Sequence, residues 1–192
     1  MNVQTISDQE LIHLYLNGNE ASLETLVKRH KRAIYTVIYL LVRDRSLAED
    51  IFQETFIKII TTLRNGNYNE EGKFLPWAAR VARNLTIDYI RKMKRDVTIT
   101  DSQGNDILSY IHIAEESKED IIIRQQSERK VKELVKLLPE EQREVLIMRH
   151  WGNMSFQEIA DATGVSINTA LGRMRYALNN IRKMMEKQQV DL

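Results

Sequence analysis

The chain of 192 residues has no cysteine, which excludes a disulfide framework, a thiolate metal site and a cysteine nucleophile. Proline occurs only at Pro76 and Pro139, and glycine only seven times. With few alternating β-branched runs as well, helix is the expected state nearly throughout, and the expected fold class is all-α. No run of about 18 apolar residues is present. The opening MNVQTISDQE lacks the basic and apolar regions of a signal peptide. The expectation is a soluble, cytoplasmic protein with no membrane insertion of its own. The four histidines, His13, His30, His112 and His150, lie far apart in sequence, so neither a metal site nor a cofactor is expected.

The net charge of +1 conceals an uneven distribution. Lys plus Arg against Asp plus Glu is 15 to 11 over residues 1–95, 2 to 7 over 96–127, and 11 to 9 over 128–192. The basic ends can meet a polyanion, while the acidic middle avoids or imitates one. That middle carries Asp101, Ser102, Gly104 and Asn105 without a sustained helical period, and reads as a linker. The organisation expected is two small helical bundles, 1–95 and 122–192, each with its own apolar core, joined by an acidic linker at 96–121.

Start signals mark several helices. Ser7-Asp8-Gln9-Glu10 is a capping box with Ile6 and Leu11 spaced as a hydrophobic staple, and Ser46-Leu47-Ala48-Glu49 has the pattern of a second. Apolar residues recur at three and four through Leu23 to Leu41 and again through Ile51 to Leu63, where Asn65-Gly66-Asn67 predicts a turn. A further helix opens near Pro76, and another at Pro139-Glu140-Glu141.

The most informative segment is Ser155–Asn179. Ser155 and Glu158 form a capping box, Met154 and Ile159 a staple, and Gly164 can take positive φ in the following turn, where Ser166 caps a second helix. This is the pattern of a helix-turn-helix. A helical wheel puts Ile167, Ala170, Leu171, Met174, Ala177, Leu178 and Ile181 toward the core. The opposite face presents Asn168, Thr169, Gly172, Arg173, Arg175, Tyr176 and Asn179, side chains suited to base edges and phosphates. Five cations against one acid between Gly164 and Lys187 add a field that favours double-stranded DNA.

Three blocks in this order, AEDIFQETFIKI, FLPWAARVARNLTIDYIRK and LPEEQREVLIMRHWGNMSFQEIADATGVSINTALGRMRYAL, together resemble the extracytoplasmic-function (ECF) group of bacterial RNA polymerase sigma factors over about residues 7–185. The resemblance implies that 1–95 is sigma region 2 and 122–192 is sigma region 4. It implies core RNA polymerase and promoter DNA as partners, with an anti-sigma factor as a candidate third. The helix from Ala48 to Leu63 would dock on polymerase through Asp50, Gln53, Glu54 and Ile57. The helix after Pro76 would hold the melted minus-10 strand through Arg80, Arg83, Asn84, Ile87 and Arg91, with the loop from Arg64 to Lys73 helping to take flipped bases. Trp77 falls among the inward residues Phe74, Ala78, Val81, Leu85 and Tyr89, where packing is its expected role. The second helix of the helix-turn-helix would read the minus-35 duplex through Asn168, Thr169, Gly172, Arg173, Arg175 and Tyr176. Many relatives carry a basic or polar residue where this chain has Ala170-Leu171-Gly172.

Two rival readings remain at this point. A stand-alone regulator would bind an operator without polymerase, using residues 1–95 to dimerise or sense a signal. A nucleic-acid enzyme would need a carboxylate or metal cluster, and the acids are scattered over helix faces or held in the linker, so no catalytic residue is expected.

Overall fold

The structure, a computed structural model, describes residues 6–69, 73–96 and 128–188. Every regular element among them is helical. In chain order they are α1 (Asp8–Leu16), α2 (Glu20–Val42), α3 (Arg45–Arg64), α4 (Phe74–Asp96), α5 (described over 128–136), α6 (Glu140–His150), α7 (Phe156–Thr163) and α8 (Ile167–Gln188). The acidic segment expected as a linker lies almost wholly outside the described residues.

Local signals account for most helix ends. Ser7 accepts from the Glu10 N–H, and the Glu10 carboxylate accepts from the Ser7 N–H at 2.9 Å, closing the first box, although Ile6 stays 48% exposed and does not complete the staple. The second box does not form. Asp44 caps α3 instead, accepting from the Leu47 N–H at 2.8 Å, so Ser46 lies inside the first turn and Glu49 pairs with Arg45. A carboxylate two residues earlier wins because it satisfies an orphan N–H while bringing negative charge to the positive helix end. At the other end of α3, Gly66 adopts φ 67° in the turn expected there.

In the first bundle α2 packs on α1, α3 and α4, and α3 packs on α4. The apolar stripes fill this centre with Leu26, Ile34, Val37, Ile38, Ile51, Ile59 and Leu63, all 0 or 1% exposed. α4 adds Ala78, Ala79, Ala82 and Thr86, all at 0%. In the second bundle α6 and α7 pack on α8 around Val145, Ile147, Met148, Met154 and Ile159.

The expectation of two separate cores needs correction. α6 packs against α2, and buried residues of both bundles form one continuous cluster. The seam is close. A methyl group added at Gly152, between α6 and α7, would stand 3.0 Å from the Ala79 side chain of α4 and 2.7 Å from the Met148 carbonyl. Small residues on both sides let backbones approach, a contact that apolar periodicity within either bundle does not encode.

The Ser155 cap carries a simple prediction. Removing its hydroxyl leaves the Glu158 N–H, now 3.2 Å from Ser155 Oγ, without its acceptor. Ser155→Ala should lower stability by about 1 kcal/mol in urea unfolding, with little change in the slope of the transition.

Candidate nucleic-acid interface

The helix-turn-helix forms as its residues require. Ser155 and Glu158 bond reciprocally, with the Ser155 N–H donating to Glu158 Oε2 at 2.7 Å. Met154 and Ile159 are 1% and 0% exposed beneath this box. Gly164 takes φ 68°, and the Ser166 hydroxyl accepts from the Thr169 N–H at 3.1 Å to start α8. Arg149 steadies the approach by donating to the Met154 carbonyl at 2.8 Å while its guanidinium lies over Phe156.

Along α8, Ala170 and Ala177 are fully buried, and Met174 and Ile181 are partly so. Asn168, Thr169, Arg175, Tyr176 and Asn179 are exposed, and nothing lies within 4 Å of a methyl built on Gly172. Ile167, Leu171 and Leu178 do not face the core: they are 40, 43 and 50% exposed. Helical period groups the whole apolar arc on one face, but α6 and α7 close only on the narrow line marked by the two alanines, where small side chains permit near approach. The larger side chains are left on the flank. Arg173 is drawn aside as well, its guanidinium 3.1 Å from Glu141 of α6.

On α3, Asp50, Gln53, Glu54 and Ile57 all point outward, Ile57 at 66% exposure, while Ile51, Phe56 and Ile59 lie in the core. The four residues thus share one accessible strip. It is tied to α4: the Glu54 carboxylate accepts a hydrogen bond from the Tyr89 hydroxyl, and this bond, with the nearby charge, pushes the phenol up from its usual value.

The outer face of α4 is divided. Asn84 and Arg91 are exposed, Ile87 is half-buried, and Arg80 and Arg83 turn into the seam between the bundles. Both Nε and Nη2 of Arg83 reach Oε1 of Glu144, at 2.8 and 2.7 Å, and Nη1 donates to the Ala162 carbonyl at 2.8 Å. The Arg83 and Glu144 side chains are only 13 and 11% exposed. Arg80 points at the Glu158 carbonyl, 3.5 Å away, and Lys73 stands 3.9 Å from the Glu158 carboxylate. Beside them opens a cavity of about 260 Å³, walled by Asn67, Tyr68, Pro76 and Trp77 of the first bundle and by Met154 and Glu158 of the second. Trp77 is half-buried against Tyr68 and Phe74, with ring centroids at 4.6 and 5.8 Å, so it packs and also lines the cavity.

Sequence reasoning did not find Glu144, Gly152 or the carbonyl end of α7 as partners of α4. Glu144 stands inside Arg143–Met148, a run the structure buries throughout, and an acid in such a place needs a cation. Among the described residues no group of His, Asp and Glu is arranged to hold a metal ion, and no helix is long and apolar enough to cross a membrane.

Comparison with known proteins agrees with this two-part layout. Residues 26–96 match the family model for Sigma-70 region 2, and residues 128–179 that for Sigma-70 region 4. The chain is 28% identical to the RNA polymerase sigma-H factor of Pseudomonas aeruginosa, covering 93% of this chain and 94% of that one. It is 27% identical to the ECF RNA polymerase sigma factor SigW of Bacillus subtilis, covering 88% and 91%. Two solved structures share the fold at a TM-score of 0.62 each. CnrH in complex with the cytosolic domain of CnrY is 19% identical, with coverage of 95% of this chain and 99% of that chain. The sigma factor RpoE in complex with the anti-sigma factor NepR from Bartonella quintana is 24% identical, with coverage of 88% and 98%.

Glu158 provides a pH test of the seam. Burial pushes its carboxyl up, but the Ser155 hydroxyl and N–H, with Lys73 and Arg80, together hold it below the usual carboxylate value. A carboxyl depressed in the folded state stabilises above its unfolded value and loses that contribution as pH falls through the folded one. The wild type should therefore melt above Glu158→Gln at neutral pH. Thermal scans should show the gap closing on acidification below the usual carboxylate range.

Proposed function

Since the chain belongs to the ECF group of the sigma-70 family, we propose that it binds core RNA polymerase through the α3 strip, reads the minus-35 duplex with α8, and captures the melted minus-10 strand on α4. The observation that carries this reading is the order of three dissimilar surfaces on one small chain, of which the α3 strip and the polar face of α8 are exposed. The acidic and apolar strip Asp50, Gln53, Glu54 and Ile57 suits a basic partner helix with an apolar centre. Asn168, Thr169, Gly172, Arg175 and Tyr176 crown the N-terminal half of α8, the part that a recognition helix inserts in the major groove. Arg173, shared with Glu141, is free to exchange that exposed acid for a phosphate.

On α4, Arg80, Arg83, Asn84, Ile87 and Arg91 would track the strand. The cavity beside Tyr68 and Trp77 offers aromatic walls and the Asn67 amide to a flipped base. No covalent step is asked of the protein. Melting follows from binding, each captured base offsetting part of an unpairing cost of a few kcal/mol. Working with polymerase, the protein would act in the cytoplasm. An anti-sigma factor is a further proposed partner, in keeping with the one bound to RpoE.

Run-off transcription with purified core polymerase tests the whole reading. Asp50→Arg combined with Glu54→Arg should reduce transcription at least about tenfold, the result of losing roughly 1.4 kcal/mol of docking. Transcription that needs neither the protein nor these acids would sink it. Arg173→Ala with Arg175→Ala should weaken protection of the minus-35 region, a lost base contact costing about 1–3 kcal/mol and a lost phosphate contact weakening binding whatever the sequence, while co-elution with polymerase is unchanged. A gel shift separates the stand-alone regulator, which would bind duplex equally well without polymerase.

A further inference from the structure

The apolar residues that α8 leaves outside the core are not placed alike. Leu178 lies in the second half of the helix, whereas Leu171, 43% exposed, falls in its first five residues, the part a recognition helix carries into the major groove. Asn168, Leu171 and Arg175 are spaced three and four apart and so form one strip along the helix, with the leucine between two side chains able to hold base edges. The polar groups around that leucine are fewer than the sequence suggests. The Thr169 hydroxyl is bonded to the Ser166 hydroxyl at 2.9 Å, Arg173 is paired with Glu141 at 3.1 Å, and Gly172 has no side chain, with open space where one would stand. The surface that Leu171 presents to a groove is therefore apolar, and the glycine beside it lets the backbone come close.

A leucine in the major groove discriminates by what it cannot do. It offers no donor or acceptor, so set against guanine, adenine or cytosine it strips water from O6, N7 or an amino group and returns nothing. The thymine C5-methyl is the apolar group that a base presents there. Contact between the two takes that methyl and the leucine δ-methyls out of water together. We propose that Leu171 is a specificity-determining residue of the DNA-reading face, selecting a thymine in the minus-35 duplex through its C5-methyl. The proposal rests on the minus-35 reading of α8 given above, and adds to it a residue whose selectivity is apolar rather than charged. Such a contact releases no counterions, so it contributes sequence preference without adding to the salt dependence that Arg175 supplies.

Deoxyuridine lacks only this methyl, which makes a direct test. Holoenzyme assembled from purified core polymerase and the full chain first selects minus-35 sequences from a promoter library randomised in that region. In the selected duplex each thymine, on either strand, is then replaced singly by deoxyuridine, and affinity is read by gel shift. One replacement should lower wild-type affinity about fourfold, the effect of withdrawing one methyl from an apolar contact, and should leave Leu171→Ala unaffected. Leu171→Ala should bind the unmodified duplex at least about fourfold more weakly, with the slope of log affinity against log salt unchanged. Leu171→Lys, which supplies a donor, should select guanine in place of that thymine.

A deoxyuridine penalty that is the same in wild type and Leu171→Ala, or absent at every position, would overturn the assignment and leave minus-35 reading by α8 standing. Loss of co-elution with core polymerase in Leu171→Ala would also overturn it, the side chain then meeting protein rather than DNA. A library from which wild-type holoenzyme selects no minus-35 sequence would overturn the assignment together with the reading beneath it. Circular dichroism melts of Leu171→Ala separate a lost contact from a lost fold.

Discussion

Much of this molecule depends on α4 serving three neighbours at once. One side must fill the centre of the first bundle, and the other must both meet the second bundle and carry cations proposed for nucleic acid. A helix has room for this only if some of its contacts are made by small side chains. Ala78, Ala79, Ala82 and Thr86 supply them, all fully buried, and Gly152 answers from the second bundle. Close backbone approach then places Arg83 beside Glu144 in a nearly dry seam, where a charge-assisted hydrogen bond is far stronger than on an open surface.

That geometry gives the arginines of α4 two sets of partners. In the structure Arg83 satisfies the orphan carbonyl of Ala162 and the nearly buried carboxylate of Glu144, a structural role. In the proposed strand capture the arginines of α4 meet phosphates. Arginine suits both roles, because its guanidinium stays charged and its several donors lie in a fixed plane that can be transferred intact from one anion to another. The pairing between Glu54 and Tyr89 adds a second connection, joining the strip proposed for polymerase to the far half of the same helix.

The recognition helix shows the opposite economy. α8 is long and is covered only along the line of Ala170 and Ala177, so its larger apolar side chains fall outside the core. Leu171 and Leu178 therefore add apolar surface beside the polar face, where a thymine methyl or an apolar partner can be met. The departure at Ala170-Leu171-Gly172 is then a change in the character of the exposed edge, with Gly172 leaving open space beside it.

Local chemistry was legible in the residues themselves. The boxes at Ser7 and Ser155, the glycine turn at Gly164, the all-α class and the opposed faces of α3 follow from capping groups and helical period, which act within a few residues and need no knowledge of the rest of the chain. Where two local candidates competed, as Asp44 and Ser46 did, the pattern alone could not rank them. What only the tertiary structure decided is the pairing across distance: Arg83 with Glu144, Gly152 against Ala79, and the exposure of Leu171. Periodicity tells which residues share a face, but whether that face meets a neighbour, and how closely, depends on side-chain volumes contributed by segments some 60 to 70 residues away.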